Sequence, residues 1–195
     1  FSLFGRGHSP KAFNVASVAA TIGGMPCRCV WGEFLYMVTV STGKTTTTIP
    51  YIHGFLAVRP PLALAEELAV RREQFVDRVG EFFGSDDIDF ESDAFSRAFH
   101  VKCPSRRFAF DLFDPMMIEF FLKSDPPGVE MRGNWMLFDR GPRRMEPQLH
   151  RADLDWADRF LMRVPRHVRA ERLPREMHAN DPVLSPSAAP NGGAS

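Results

Sequence analysis

The chain has 195 residues, 44% of them hydrophobic, so it is long enough to bury a core without a disulfide or a metal ion. Its 24 basic and 24 acidic residues balance, which excludes a strong overall attraction to nucleic acid or to an anionic membrane. Phenylalanine dominates the aromatic residues, with 18 Phe against 2 Tyr and 3 Trp, and side chains without a polar group are expected mainly in a core.

The first part of the chain predicts a sheet built from hairpins. Residues 1–13 contain two glycines and a proline and are predicted to be a loosely ordered lead-in segment. Residues 14–22 suit a strand, followed by a turn at Gly23-Gly24. Residues 26–40 and 45–58 are rich in β-branched and aromatic residues and predict two long strands of a hairpin.

Two features of this hairpin bear on its position and its function. Pro50 and Gly54 interrupt the second arm, which predicts an edge position or a bulge. Gly43-Lys44-Thr45 looks like the end of a phosphate-binding loop, but position 38 is valine where that motif needs glycine. The threonines that follow favour a strand over the required helix, so this segment is predicted to be a hairpin turn.

A helix is predicted over residues 64–79, with Gly80 or Gly84 at its end. Its apolar residues recur at roughly helical spacing: Leu64, Leu68, Phe75 and Val79. Two short strands are predicted beyond it, at residues 88–90 and 98–102.

The next elements are marked by capping and turn residues. Ser105 is predicted to cap one helix, and Asp114 to cap another that has Pro115 at its first position. Residues 129–138 predict a hairpin that turns at Gly133-Asn134.

The last predicted helix covers residues 147–164 and ends at Pro165. Residues 169–195 are predicted to be a disordered tail, rich in proline and small residues towards its end. The sequence therefore predicts one α+β domain over residues 14–168, with a mainly antiparallel sheet of hairpins packed against two or three helices.

The cysteines give one possible metal site. Cys27 and Cys29 are spaced C-x-C on a predicted strand, and His100 and Cys103 would complete a set of ligands if the strands were neighbours. Buried free thiols are the favoured interpretation, typical of a reducing compartment. A single disulfide between Cys103 and one of the other two stays open.

His100 and Cys103 are also the only local candidates for a base and a nucleophile. Three residues apart at the end of a strand, they are expected to point to opposite faces. The neighbouring acidic cluster lacks the glycine and terminal glutamate of a calcium loop, which favours a solvated turn. Its members are Asp86, Asp87, Asp89, Glu91 and Asp93. The sequence assigns no catalytic residue, no metal ligand and no cofactor.

A run of basic residues near the C-terminus has no interleaved aromatic residues, so no nucleic-acid partner is predicted. A solvated linker is the favoured interpretation of this run. It consists of Arg163, Arg166, Arg169, Arg172 and Arg175.

The order of several motifs is similar to that of a family of uncharacterised bacterial proteins, in which a domain of unknown function follows an N-terminal membrane anchor. The motifs are Trp31-Gly32-Glu33-Phe34-Leu35-Tyr36, Asp87-Ile88-Asp89-Phe90-Glu91, Phe95-Ser96-Arg97-Ala98-Phe99-His100-Val101, Arg107-Phe108-Ala109-Phe110 and Asp114-Pro115-Met116-Met117-Ile118-Glu119-Phe120-Phe121-Leu122. The resemblance implies a domain on the cytoplasmic side of a bacterial membrane, and it transfers no catalytic residue. The chain itself contains no run of about 18 apolar residues, and because it begins with Phe1 the natural N-terminus and any anchor are expected to be missing.

Two functions are consistent with these observations. The first, which is favoured, is a non-catalytic interaction or regulatory domain, normally tethered to a membrane and acting on a protein partner. The second is a small enzyme whose site is assembled from distant residues, including His100, Cys103 and the acidic cluster from Asp86 to Glu91.

Overall fold

The computed structural model describes residues 1–63, 67–72 and 87–185. Its seven strands form one antiparallel sheet with the order β1-β2-β3-β7-β6-β4-β5. This arrangement confirms the α+β class with an antiparallel sheet. The strands are β1 (His8–Ile22), β2 (Met25–Ser41), β3 (Thr46–Arg59), β4 (Leu68–Arg72), β5 (Phe99–Lys102), β6 (Gly128–Arg132) and β7 (Trp135–Asp139).

Five α-helices are present in the described residues, and most of the hydrophobic core lies between them and one face of the sheet. Short 3-10 helices flank the fold at Ser2–Gly5 and Arg175–Asn180. The α-helices are α1 (Asp93–Ala98), α2 (Arg106–Leu112), α3 (Pro115–Lys123), α4 (Pro147–Arg163) and α5 (Arg166–Arg172). No helix in these described ranges combines the length and the apolar character needed to cross a membrane.

The three long strands follow the predicted hairpins. The turn between β1 and β2 uses Gly23 and Gly24, both with positive φ angles, and Gly43 has a positive φ angle in the turn between β2 and β3. The hairpin-turn interpretation of Gly43-Lys44-Thr45 is therefore confirmed. Pro50 lies in the part of β3 that pairs only with β2, because β7 pairs with residues 55–58 alone.

Local capping signals are also confirmed. The side chain of Ser105 accepts a hydrogen bond from the amide of Phe108 and caps α2. Asp114 accepts from the amide of Met117 at 2.8 Å and caps α3, with Pro115 in the first turn. The hairpin of β6 and β7 turns at Gly133 with a positive φ angle.

The predicted helix over residues 64–79 is wrong where the chain is described, because residues 68–72 form β4. Leu68 and Val70 are fully buried in a strand that pairs with both β5 and β6. Short apolar runs do not distinguish a buried strand from a helix by their spacing, and pairing on both sides decides in favour of the strand. Residues 64–66 and 73–86 lie outside the described residues.

The region after residue 86 also differs from the prediction. Residues 88–90 are not a strand, although the amide of Ile88 donates to the carbonyl of Val101 at 2.9 Å. The unpredicted helix α1 begins after Ser92, whose side chain accepts from the amide of Phe95. Ser92 is therefore the same kind of helix cap as Ser105, since each serine accepts from the amide three residues ahead.

The lead-in segment and the C-terminal tail, which were predicted to be loosely ordered or disordered, both contain regular structure. In the lead-in segment, Leu3 is fully buried and strand β1 begins at His8, earlier than residue 14. In the predicted tail, Leu173 and Leu184 are buried beside the 3-10 helix. Residues 186–195 lie outside the described residues.

The basic run is not a solvated linker throughout. Arg169 on α5 is fully buried, pairs with Asp181 and donates to the carbonyls of Gly23 and Leu161. Burial lowers the pKa of Arg169, and the nearby charge of Asp181 opposes that shift. The guanidinium therefore joins the C-terminal segment to the turn between β1 and β2.

Candidate functional site

The second face of the sheet carries a buried polar network instead of a helical layer. Strand pairing places Glu130, Asp139 and Arg71 on this face, together with the apolar side chains of Ala57 and Leu137. All three charged residues are buried, with exposed fractions of 8% or less. Buried charges need partners, so the contacts of this network define what it can do.

Asp139 lies at the centre of the network. It accepts hydrogen bonds from His53 Nδ1 at 2.9 Å and from the amide of Gly141 at 2.8 Å, and it contacts Arg71 Nη1 at 3.4 Å. Burial raises the pKa of Asp139, but His53, the charge of Arg71 and the Gly141 amide together outweigh burial. The pKa is therefore held below its ordinary value of 3.8.

This lowered pKa predicts acid sensitivity. A carboxylate with a lowered folded pKa contributes stability above its unfolded pKa, about 3.9, and loses it as the pH falls through the folded value. We expect Asp139→Asn to lower the free energy of unfolding at pH 7 by about 1.5–3 kcal/mol, the usual contribution of hydrogen bonds to a charged group. Urea unfolding between pH 7 and pH 2 should show the difference from wild type shrinking below about pH 4. A difference that stays constant over this range would contradict the assignment.

Two branches extend from Asp139. On one side, Tyr36 Oη lies 3.3 Å from His53 Nε2. On the other, Arg71 Nη2 pairs with Glu130 Oε1 and lies 3.4 Å from Ser2 Oγ. Ser2 completes the second branch, because its hydroxyl and its backbone amide both donate hydrogen bonds to Glu130. The hydrogen bond from the amide is 2.8 Å long.

A pocket of about 180 Å³ opens beside Arg71 and Asp139. Its walls come from the residues between α3 and β6 and from those between β7 and α4. Five arginines face two aspartates in its lining, which gives the pocket a positive character. The lining residues are Arg6, Arg71, Arg72, Asp125, Pro126, Pro127, Gly128, Asp139, Arg140, Gly141, Pro142 and Arg143.

Three of the arginines are already engaged with carboxylates. Arg71 contacts Asp139 as described, Arg72 lies 3.3 Å from Asp125, and Arg140 lies 2.7 Å from the same aspartate. Arg140 also donates to Asp153 at 2.5 Å. Burial raises the pKa of Asp153, and the Arg140 contact opposes this shift.

The other two arginines leave uncompensated positive charge in the lining of the pocket. Arg6 and Arg143 have no carboxylate partner within residues 1–63, 67–72 and 87–185. The backbone of Arg143 is fixed nonetheless, because its carbonyl accepts a hydrogen bond from the amide of Gly54 at 2.7 Å. The Arg143 side chain is exposed and is among the residues that line the pocket.

Two of the lining arginines are packed tightly at their inner ends. In the described part of the chain, Nε of Arg71 and Nε of Arg72 are buried without a hydrogen-bond partner, as is Nε of Arg169, which lies outside the pocket. These atoms are closed off from the pocket, so an anion would meet the guanidinium groups at their outer edges. Gly128 leaves room for the Arg71 side chain, since a Cβ atom there would lie 2.6 Å from Arg71 Nη1.

The alternative site from the sequence is brought together only in part: His100 meets Asp87 of the acidic cluster, and Cys103 lies elsewhere. His100 contacts Asp87 at 2.8 Å and lies opposite Arg71 in the sheet, on the face of the polar network. Cys103 is buried towards the helical face, and its Sγ lies 3.2 Å from the Ser105 carbonyl. The expectation that His100 and Cys103 point to opposite faces is confirmed. Asp86 lies outside the described residues.

The cysteine pair forms no ligand set with these groups. Cys27 and Cys29 are free thiols buried in the main core, as is Cys103, so the favoured interpretation of the cysteines is confirmed. Burial raises the pKa of Cys27 to about 12 and also raises that of Cys29. Within the described ranges no group of three or more His, Cys, Asp or Glu side chains is placed to hold a metal ion.

The sequence analysis missed the residues of the network. Glu130, Asp139 and Arg71 are charged residues in or next to apolar strand segments, which is a recognisable signal because burying a charge is costly. These three residues come together only because β4 and β7 lie on either side of β6. The sequence around each residue does not reveal that strand order. The distant Ser2 and Arg6 gave no signal of their own.

Comparisons with known proteins add no assignment. No family model matches this chain, and no curated protein or solved structure matches it. The resemblance to membrane-anchored bacterial proteins stays a prediction.

Proposed function

We propose that this chain is a non-catalytic regulatory domain that binds a compact oxyanion, a phosphate or carboxylate group, in the pocket beside Arg71. The observation that carries the proposal is a pocket lined by five arginines, two of which, Arg6 and Arg143, have no carboxylate partner in the described residues. Arginine presents a planar fork of donors that matches the oxygens of a phosphate or a carboxylate.

The size of the pocket supports a small ligand or a single group of a larger one. Its volume of about 180 Å³ lies below the roughly 300–1,000 Å³ typical of pockets that enclose drug-sized molecules. Three prolines in the walls, Pro126, Pro127 and Pro142, restrict the backbone and favour a preformed site.

The lining supports binding over catalysis. It consists of arginine, aspartate, proline and glycine residues, and Asp139 is held by three donors within the protein. A carboxylate with a lowered pKa and saturated contacts is a poor general base near pH 7. Its evident role is to position Arg71.

The membrane tether and the protein partner belong to the same proposal and rest on the resemblance. In this setting the domain lies on the cytoplasmic side of a bacterial membrane and acts on a protein partner. Binding of a small anion would supply the signal to which such a regulatory domain responds.

Calorimetric titration with inorganic phosphate at low ionic strength tests the proposal, with acetate as a second arm for the carboxylate class. We expect binding by the wild type and about tenfold weaker binding by Arg143→Gln, equal to about 1.4 kcal/mol and typical of one lost charged hydrogen bond. Arg107→Gln is the matched control, because Arg107 is exposed on α2 and does not line the pocket.

Gly128→Ala gives a second, steric test of the same pocket. The new methyl group would displace the Arg71 guanidinium, so anion binding should be lost while the melting temperature confirms that the protein is folded. Failure of both anions to bind the wild type, or equal losses in Arg143→Gln and Arg107→Gln, would overturn the proposal.

A further inference from the structure

We propose that anion binding in the arginine pocket and docking of the N-terminal segment, residues 1–7, stabilise each other, so that the segment reports whether the pocket is occupied. This inference rests on the proposed function and names the regulation of the same site. It follows from the way one segment contributes to both the polar network and the pocket lining.

The N-terminal segment is held on the helix-free face by apolar contacts. Leu3 is fully buried in the smaller hydrophobic cluster of that face. The ring of Phe4 packs edge-on against Phe34 and Phe55, with centroid distances of 5.1 and 5.3 Å. Gly7 ends the segment with a positive φ angle, where a Cβ atom would lie 2.3 Å from the carbonyl oxygen of Met37.

Two polar links join this segment to the pocket. Ser2 bonds to Glu130 through its amide and its hydroxyl, and Glu130 pairs with Arg71, which lines the pocket. Arg6 lines the pocket directly from the other end of the segment. The segment therefore reaches from the Glu130–Arg71 pair to the lining of the pocket.

The sign of the coupling follows from the charges that remain available. Arg71 uses Nη1 and Nη2 on Asp139 and Glu130, and Glu130 also accepts from Ser2. An anion that binds to the arginines without carboxylate partners leaves this link from Arg71 through Glu130 to Ser2 in place. The same anion gains a charged contact with Arg6 only while the segment is docked.

Linkage makes this effect reciprocal. If docking of the segment increases anion affinity by a certain factor, anion binding increases the docking equilibrium by the same factor. Couplings of this kind commonly lie in the range of about 5–150-fold. We expect the low end of that range, because Arg6 is one of several arginines that would contact the anion.

Hydrogen exchange measured by mass spectrometry on the whole chain tests the coupling. With saturating inorganic phosphate, exchange of the amides in residues 1–7 should slow by about fivefold, while helix α2, none of whose residues line the pocket, serves as an internal control. In Arg6→Gln the segment keeps Leu3 and Phe4, so it should stay docked but lose the phosphate effect. In Leu3→Ala, which weakens docking, phosphate affinity should fall by a similar factor, provided α2 exchanges as in the wild type.

The possible results separate this inference from the proposed function. Phosphate binding detected by calorimetry without slower exchange in residues 1–7 overturns the coupling and leaves the proposed function standing. Equal slowing in the wild type and Arg6→Gln also overturns it, because Arg6 is the link that makes docking favourable. Absence of binding by both phosphate and acetate overturns the coupling and the proposed function together.

Discussion

Arg169→Met is expected to lower the free energy of unfolding by about 3–5 kcal/mol, the cost of leaving one member of a buried ion pair without its partner. Arg169 has no exposed surface, and it donates to Asp181 and to the carbonyls of Gly23 and Leu161. Its loss leaves the Asp181 carboxylate and both carbonyls without this donor. Chemical unfolding monitored by fluorescence measures the effect.

Two further variants make this expectation specific. Arg175→Met is the matched control, because Arg175 is exposed on the neighbouring 3-10 helix, and we expect a change within about 0.5 kcal/mol. Asp181→Asn combined with Arg169→Met removes both charges, so the double variant should be less destabilised than the sum of the single variants. An effect of Arg169→Met no larger than that of Arg175→Met would contradict the structural role.

Trp156→Ala is expected to lower the free energy of unfolding by about 3–5 kcal/mol, as is usual when a large aromatic side chain is removed from a core. The indole stacks on Phe120 and Phe160, with centroid distances of 5.1 and 5.3 Å, and meets Phe121 edge-on. Its Nε1 donates to Ser124 Oγ at 3.0 Å. The ring thereby joins α4 to α3 across the core.

The loss of stability should depend on how much of the aromatic ring remains at position 156. Trp156→Phe keeps part of the aromatic contact and loses the hydrogen bond to Ser124, so its effect should lie between those of wild type and Trp156→Ala. Phe110→Ala is the control, since nearly half of that ring is exposed, and its cost should be well below that of Trp156→Ala. Similar losses for the two alanine variants would show that the helical layer is not centred on Trp156.

Local signals predicted those parts of the fold that depend on a few neighbouring residues. Ser105 and Asp114 cap helices because their side chains accept from an amide three residues ahead, which is a property of the sequence itself. Gly23-Gly24 and Gly133 mark turns for the equally local reason that glycine adopts positive φ angles.

The errors arise where distant parts of the chain decide the outcome. Leu68 recurs at helical spacing with residues on either side, but β4 is a strand because β5 and β6 pair with it. Arg169 was assigned to a solvated linker because its neighbours are also arginines, and only the packing of Asp181 and the Gly23 carbonyl around it explains its burial.

The candidate site shows the same limit. Arg71, Glu130 and Asp139 come from three strands, and Arg6 comes from a segment predicted to be loosely ordered. The sequence contained each charge but not the strand order that gathers them on one face. The residues that it did single out, His100 in β5 and Cys103 just after it, lie on opposite sides of the sheet, as the sequence predicted.

The most direct test of the arginine pocket is a crystal structure of the whole chain soaked with tungstate, a heavy oxyanion whose position is seen by anomalous scattering. The pocket should hold tungstate with its oxygens within hydrogen-bond distance of the Arg6 and Arg143 guanidinium groups, and crystals of Gly128→Ala should lack that peak. An empty pocket at saturating tungstate, or tungstate bound only elsewhere on the surface, would contradict the assignment of this pocket as an anion site.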